Sequence, residues 1–210
     1  NVDRLLIFLK IAKETNRKLT ITAKDAFLLH AMKIADKNIP SILAHPHLYI
    51  FEEIKVARNL WERDFVGVNY RDKFVKAGEI KKDQADFILA FSFWDLKHLL
   101  DVMPEGGIYI YSTSEAFTEE QEIDVQRLKN WLDFFGMKPV GFEVNGKEIK
   151  FLPGFHSSGH ISGEEIVKIV QTIGPQTVIP VHTERPELFV KYLGDKTKVI
   201  LPEEGVPIMA

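Results

Sequence analysis

The chain has 210 residues, 45% hydrophobic and 27% charged, which suits one large globular domain or two small ones. Its net charge of −3 gives no global basic field, so a site for a polyanion has to be a local patch. There is no cysteine, which excludes disulfides and cysteinyl zinc sites, and no apolar run long enough to span a bilayer. With no signal-peptide pattern either, a cytoplasmic location is the expectation.

Taken in chain order, helix and strand alternate. Val2, Leu5, Leu6, Leu9 and Ala12 have helical spacing, and Asn16 is a helix stop. "KLTIT" (18–22) reads as a strand. Thr22 and Asp25 then resemble a capping box for a helix with Ala26, Leu29 and Met32 on one face. "LYIF" (48–51) predicts a strand, "EEIKVARNLWERD" (52–64) a helix, and "FVGVNY" (65–70) a short strand. "DFILAFS" (86–92) predicts a buried strand, "DLKHLLDVM" (95–103) a short helix, and "GGIYIYSTS" (106–114) another strand. Thr118 and Gln121 form a second capping box, opening a helix with Val125, Leu128, Leu132 and Phe135 on its inner face, closed by Gly136.

This alternation predicts an α/β fold with a Rossmann-like parallel sheet and flanking helices. Near residues 140–150 the rhythm changes, which marks a soft boundary. "GFEVNGKEIKFLPGF" (141–155) predicts two strands joined by an Asn-Gly turn at 145–146. Ser162 and Glu165 cap a helix with Ile166, Ile169, Val170 and Ile173 as its apolar stripe, ended by Gly174-Pro175. "TVIPVH" (177–182) predicts a strand ending in a histidine, and 198–210 adds strand material.

Seven histidines occur in the chain, and most have ordinary readings. His30 and His98 sit in helices among polar neighbours and read as structural. His45 and His47 flank Pro46 as a His-x-His pair, with nothing nearby to complete a zinc site. The stretch "GFHSSGHISGEE" (154–165) is different. His156, Ser157, Ser158, Gly159 and His160 stand between a strand and a capped helix, where α/β folds place ligands. Imidazoles donate hydrogen bonds or protons, Gly159 allows close backbone approach, and a helix N-terminus attracts anions. An ordinary polar turn with Ser162 as N-cap accounts for the same residues equally well. His182, at a strand end one helix later and followed by Thr183, Glu184 and Arg185, points to a metal ligand, although a catalytic zinc needs about three.

His156-Ser157-Ser158-Gly159-His160, a capped helix, and then Pro180-Val181-His182 resemble the C-terminal signature of the β-CASP branch of the metallo-β-lactamase fold, the RNase J-like RNA-processing nucleases. The resemblance is sharp over 150–205 and weaker before it. It implies a β-CASP-like α/β domain over 1–145 and the C-terminal βαβ segment of a metallo-β-lactamase domain over 146–210. It implies RNA phosphodiester hydrolysis with two zinc ions in the complete protein, and RNA as the partner. His182 would ligate one zinc, with Glu184 orienting a ligand. His160 and His156 would serve the reaction at the phosphate, held by Ser157, Ser158 and Gly159. Ser112, Ser114 and Glu115, in "YSTSEAF" (111–117), would line the substrate channel. Arg58, Arg63 and Arg71 are candidates for phosphate contacts, or ordinary solvated charges.

The family's His-x-His-x-Asp-His motif is absent: Leu48 and Tyr49 follow the 45–47 pair. The chain also starts at Asn1 inside a helix, so the expectation is a C-terminal part of a larger hydrolase, inactive and without tight zinc alone. A homodimer and no membrane contact complete that expectation. Two rivals stand beside it: a hydrolase of the same fold acting on another substrate, and a non-enzymatic anion-binding α/β module.

Overall fold

The computed structural model describes residues 2–113, 119–146, 148–155, 161–181 and 183–208. Its contacts divide the chain into two compact units, Asn1–Ser157 and Ser158–Ala210.

The first unit opens with α1 (Val2–Glu14), stopped at Asn16, whose φ of 53° turns the backbone left-handed. Strand β1 (Lys18–Ile21) follows, then α2 (Ala23–Ala35), capped as its sequence predicts by the Thr22 hydroxyl accepting from the Asp25 N–H. Next come β2 (Leu48–Phe51), a π-helical turn over Trp61–Val66 that runs into α3 (Gly67–Asn69), β3 (Phe74–Val75), α4 (Ala77–Lys82) and β4 (Phe87–Leu89). A 3-10 turn over Phe93–His98 leads into α5 (Leu99–Val102), β5 (Gly107–Ile110), α6 (Glu119–Phe134) and β6 (Met137–Val140). The hairpin of β7 (Phe142–Asn145) and β8 (Glu148–Phe151) forms as predicted, but Asn145 ends β7 opposite Glu148, so the turn opens at Gly146, φ 64°, one residue later than read.

Four of these strands form one parallel sheet in the order β3-β2-β1-β4, while β5 and β6 form a separate parallel pair. Side chains alternate across the sheet. On its first face Leu19, Ile21, Leu48, Ile50 and Ile88 join Leu9 of α1 and Leu29 of α2. On the opposite face Tyr49, Phe51, Phe87 and Leu89 join Ile80 of α4 and Val102 of α5. There α6 adds Val125, Leu128 and Leu132, against Tyr109 of β5 and Phe142 of β7. This is an α/β architecture with a parallel sheet flanked by helices.

Gly141 joins β6 to the hairpin. Its φ is 103°, and a Cβ there would stand 2.6 Å from the Tyr111 carbonyl oxygen and 3.2 Å from Phe155 Cβ. Only glycine fits both the angle and the space.

The second unit holds α7 (Gly163–Ile173), β9 (Thr177–Val178), α8 (Glu187–Leu193) and β10 (Lys198–Val199). β9 and β10 pair in parallel around α8, a minimal βαβ. Gly174 ends α7 in the left-handed conformation, φ 61°, as its position predicts.

Several expectations change. Residues 52–59 are not helical, because Lys55 folds back onto Glu53 and Glu62 and the backbone follows. Residues 65–69 are helical, not a strand: the apolar pair Phe65 and Val66 packs on the first face through helical turns. Among the described residues, strand covers three residues of 86–92, two of 177–182 and two of 198–210. Strands β3 and β6 and helices α4 and α8 are additions.

Candidate functional site

His156, Ser157, Ser158, Gly159, His160, His182, Ser114 and Glu115 lie outside the described residues, and so does the Thr118 cap. In sequence, 156–160 follow the β7–β8 hairpin, which ends at Phe151, and precede α7, whose capping box forms in full. Ser162 N–H and Oγ–H both donate to Glu165 Oε2, at 3.1 and 2.7 Å, and Glu165 N–H donates to Ser162 Oγ at 3.3 Å. These bonds hold the Glu165 carboxyl below its usual range. They also put a carboxylate at the positive end of α7, where the sequence reading put an incoming phosphate.

Ser112 follows β5 and is half-buried, and Glu184 is exposed in a bend. Next to Glu184, the Thr183 hydroxyl accepts from the Arg185 N–H, and Arg185 pairs with Glu187. Pro180 is buried and Val181 exposed, so the chain surfaces as it approaches position 182.

The arginines proposed for phosphate contact are partly committed elsewhere. Arg58 donates to the Glu53 carbonyl at 3.0 Å, and Arg63 grips Asp64 with two nitrogens. Arg71 is exposed. The other histidines serve the fold. His30 Nδ1 lies 2.6 Å from the Tyr70 hydroxyl, and its ring meets the Phe65 edge. His47 Nδ1 lies 2.9 Å from the Arg17 carbonyl, and His45 Nδ1 accepts from the His47 N–H. Burial, with His47 and Lys73 close by, pushes the His45 imidazole below its ordinary pKa.

Sequence reasoning missed a charged cluster beyond the carboxyl end of β2. The Glu62 side chain is only 4% exposed. Lys55 Nζ reaches its Oε1 at 2.6 Å and Glu53 Oε2 at 3.0 Å. The Asn59 N–H and side-chain amide donate to Glu62 Oε2. Burial alone would raise the Glu62 carboxyl, but the Lys55 ammonium and the Asn59 donors outweigh it and hold the carboxyl low. Buried His98 places Nε2 3.2 Å from Glu53 Oε2, too poorly aligned for a hydrogen bond. Both Glu62 carboxylate oxygens are satisfied from within, so the cluster ties a loop down. Its signal was the Glu-rich, Lys-containing run at 52–64, hidden because the same spacing suits an exposed helix.

A zinc site needs about three convergent ligands. Among the described residues no three His, Asp or Glu side chains form such a group, so they do not fit the metal by themselves. Among them, too, no helix is long and apolar enough to cross a membrane.

Comparison with known proteins gives one match. Residues 142–202 match the family described as RMMBL, the Zn-dependent metallo-hydrolase RNA specificity domain. The match covers under a third of the chain, and it starts one residue after Gly141. It supports the metallo-hydrolase part of the resemblance, with zinc a property of the full-length proteins. Searches of curated proteins and of solved structures found no match.

Proposed function

We propose that this chain is the C-terminal part of a zinc-dependent metallo-hydrolase of the β-CASP branch that cleaves RNA phosphodiester bonds in the cytoplasm. In this reading residues 1–145 form the β-CASP-like domain, and 146–210 return to the metallo-β-lactamase domain. The observation that carries it is the match over 142–202, which encloses the stretch 156–160 and position 182. His182 would be one ligand of a zinc site completed by polypeptide outside residues 1–210, and that metal would supply Lewis-acid activation of water. His160 and His156 would donate to the phosphate oxygens. Ser157, Ser158 and the Gly159 N–H would position that phosphate, and Glu184 would orient a ligand. Ser112, Ser114 and Glu115 would face the RNA strand.

The test uses the product of the complete open reading frame that contains these residues. Zinc content is measured for it and for His182→Ala, and RNA cleavage for it, His182→Ala and His160→Ala. The reading expects zinc to fall in His182→Ala and cleavage to fall at least a hundredfold in both variants, with zinc intact in His160→Ala. A full-length protein without zinc, or one whose cleavage ignores both histidines, overturns it. RNA binding insensitive to salt would favour a metallo-hydrolase of another substrate.

A further inference from the structure

The parallel sheet of the first unit is interrupted. Among the described residues β4 pairs only with β1, and β5 only with β6. Between these two strands lies a cavity of about 1450 Å³. It is larger than the roughly 300–1,000 Å³ of an ordinary small-molecule site. Its walls include Phe87 to Ala90 along β4 and Gly106 to Tyr111 along β5. Its lining comes from both helical layers: Leu5 and Phe8 of α1 from the first face, Leu99 of α5 and Leu128 of α6 from the other. A pocket for a ligand normally opens on one face or end of a sheet. A void that runs through the plane of the sheet, reaching the helices on both sides, has the shape left when a strand is absent.

β5 is consistent with this. A strand inside a doubly covered parallel sheet is apolar and buried on both faces. The sequence Gly-Ile-Tyr-Ile is apolar enough, yet Ile108 and Ile110 are 66% and 40% exposed.

Topology says which polypeptide belongs there. Crossovers between parallel strands are right-handed in about 98% of cases, so all crossovers whose helices share a face step in the same direction. On the first face, the β1–α2–β2 crossover steps toward β3. On the opposite face, the β3–α4–β4 crossover steps the other way. α1 packs on the first face and leads into β1. A strand entering α1 must therefore lie on the β4 side of β1. β1 and β4 are already paired through Lys18↔Phe87, Leu19↔Ile88 and Thr20↔Leu89, so the nearest open position on that side is the cavity.

We infer that the gap between β4 and β5 receives an apolar β-strand, parallel to both, whose carboxyl end leads into α1. The strand hydrogen-bonds to the open edges of β4 and β5 and joins the two sheets into one, in the order β3-β2-β1-β4-strand-β5-β6. Its neighbours have three and four residues, β4 and β5, so about four residues at roughly 3.3 Å each span the gap. The inference rests on the sheet alone and would stand if the RNA-hydrolase reading fell.

The test extends the 210-residue chain at its N-terminus with a six-residue Val/Ile/Thr strand and a short Ser-Asn turn. A control extension carries proline at alternate strand positions, which removes its ladder donors. Amide hydrogen exchange is followed at 87–90 and 107–110, with the mass in solution measured by light scattering. The expected result is exchange at least tenfold slower in both strands for the first extension, with unchanged exchange for the control, both monomeric. Equal exchange in all three proteins overturns the inference. So does strong protection of both strands in the unextended chain at every concentration, because the edges would already be satisfied. Protection that appears in the unextended chain only as it dimerises also overturns it, in favour of a second copy. None of these readouts involves zinc or RNA, so failure here is distinct from failure of the proposed function.

Discussion

The two units obey the same local rules and arrive at different interiors. In the four-stranded sheet, Leu19, Ile21, Leu48, Ile50 and Phe51 are completely buried between two helical layers. In residues 158–210, Leu193 is the only buried large apolar side chain among the described residues. Yet α7 has a full capping box, a left-handed glycine stop and a clean stripe of Ile166, Ile169, Val170 and Ile173. That stripe is not buried: Ile169 is half-exposed and Ile173 is 70% exposed. Capping and periodicity write a helix into the sequence, but they do not supply the surface it packs on. Helical stability comes mostly from that packing, so the first unit is the part of this chain expected to carry its stability.

The strongest test of this contrast is Phe51→Ala. It should cost about 3–5 kcal/mol in denaturant unfolding, since it empties a site packed against Phe91 and the His98 ring. A loss under 1 kcal/mol would mean that the sheet is no better packed than the second unit. Next comes Lys55→Ala, which leaves the buried Glu62 carboxylate without its ammonium partner and should cost about 2–3 kcal/mol near neutral pH. The sign with pH follows from the low Glu62 pKa. In the native protein this carboxylate stabilises above the ordinary carboxylate range, and the contribution is lost as pH falls through its depressed folded value. In Lys55→Ala the desolvated carboxyl prefers its proton, so the deficit should shrink on acidification. Chemical denaturation at pH 7 and at pH 4 compares the two.

Smaller effects belong to the second unit. Ser162→Ala removes the N-cap of α7 and should cost that helix about 1 kcal/mol, read as faster amide exchange over its first turn with the sheet unaffected. Ile173→Ala should change unfolding by less than about 0.5 kcal/mol, because the side chain is already in water. A cost of 2 kcal/mol or more at Ile173 would show that its face is covered in solution and would erase the contrast.

Where the sequence was legible follows the same line. The Thr22 and Ser162 caps and the Asn16 and Gly174 stops are found where they were read, because each is decided within a few residues, while the Asn145-Gly146 turn is found one residue later. The apolar runs of β1 and β2 were equally plain. The run 52–64 misled because its charges match the spacing of an exposed helix, while Lys55, Glu53 and Glu62 meet through a fold in the chain. β3, at two residues, is too short to show a period, and the Pro139 within "MKPV" hid β6. In the candidate site, the Ser162 cap that follows 156–160 was legible. That Glu165 places its own negative charge at that helix end was not, because a capping box reads as a stop signal before it reads as an electrostatic one.

Phe142 bears on how such a protein can be recombined. The matched segment begins at this residue, immediately beyond Gly141, so a gene-shuffling event would find its natural seam there. Phe142 is nevertheless locked into the interior beside Leu128 and Leu132 of α6, ahead of the compact-unit boundary after Ser157. Lifting out 142–202 as a cassette would tear a plug from the domain left behind, and inserting it elsewhere would strand an aromatic ring in solvent. The two parts of this chain are therefore expected to be inherited together, exchanging substitutions on either side of position 141 and not whole modules.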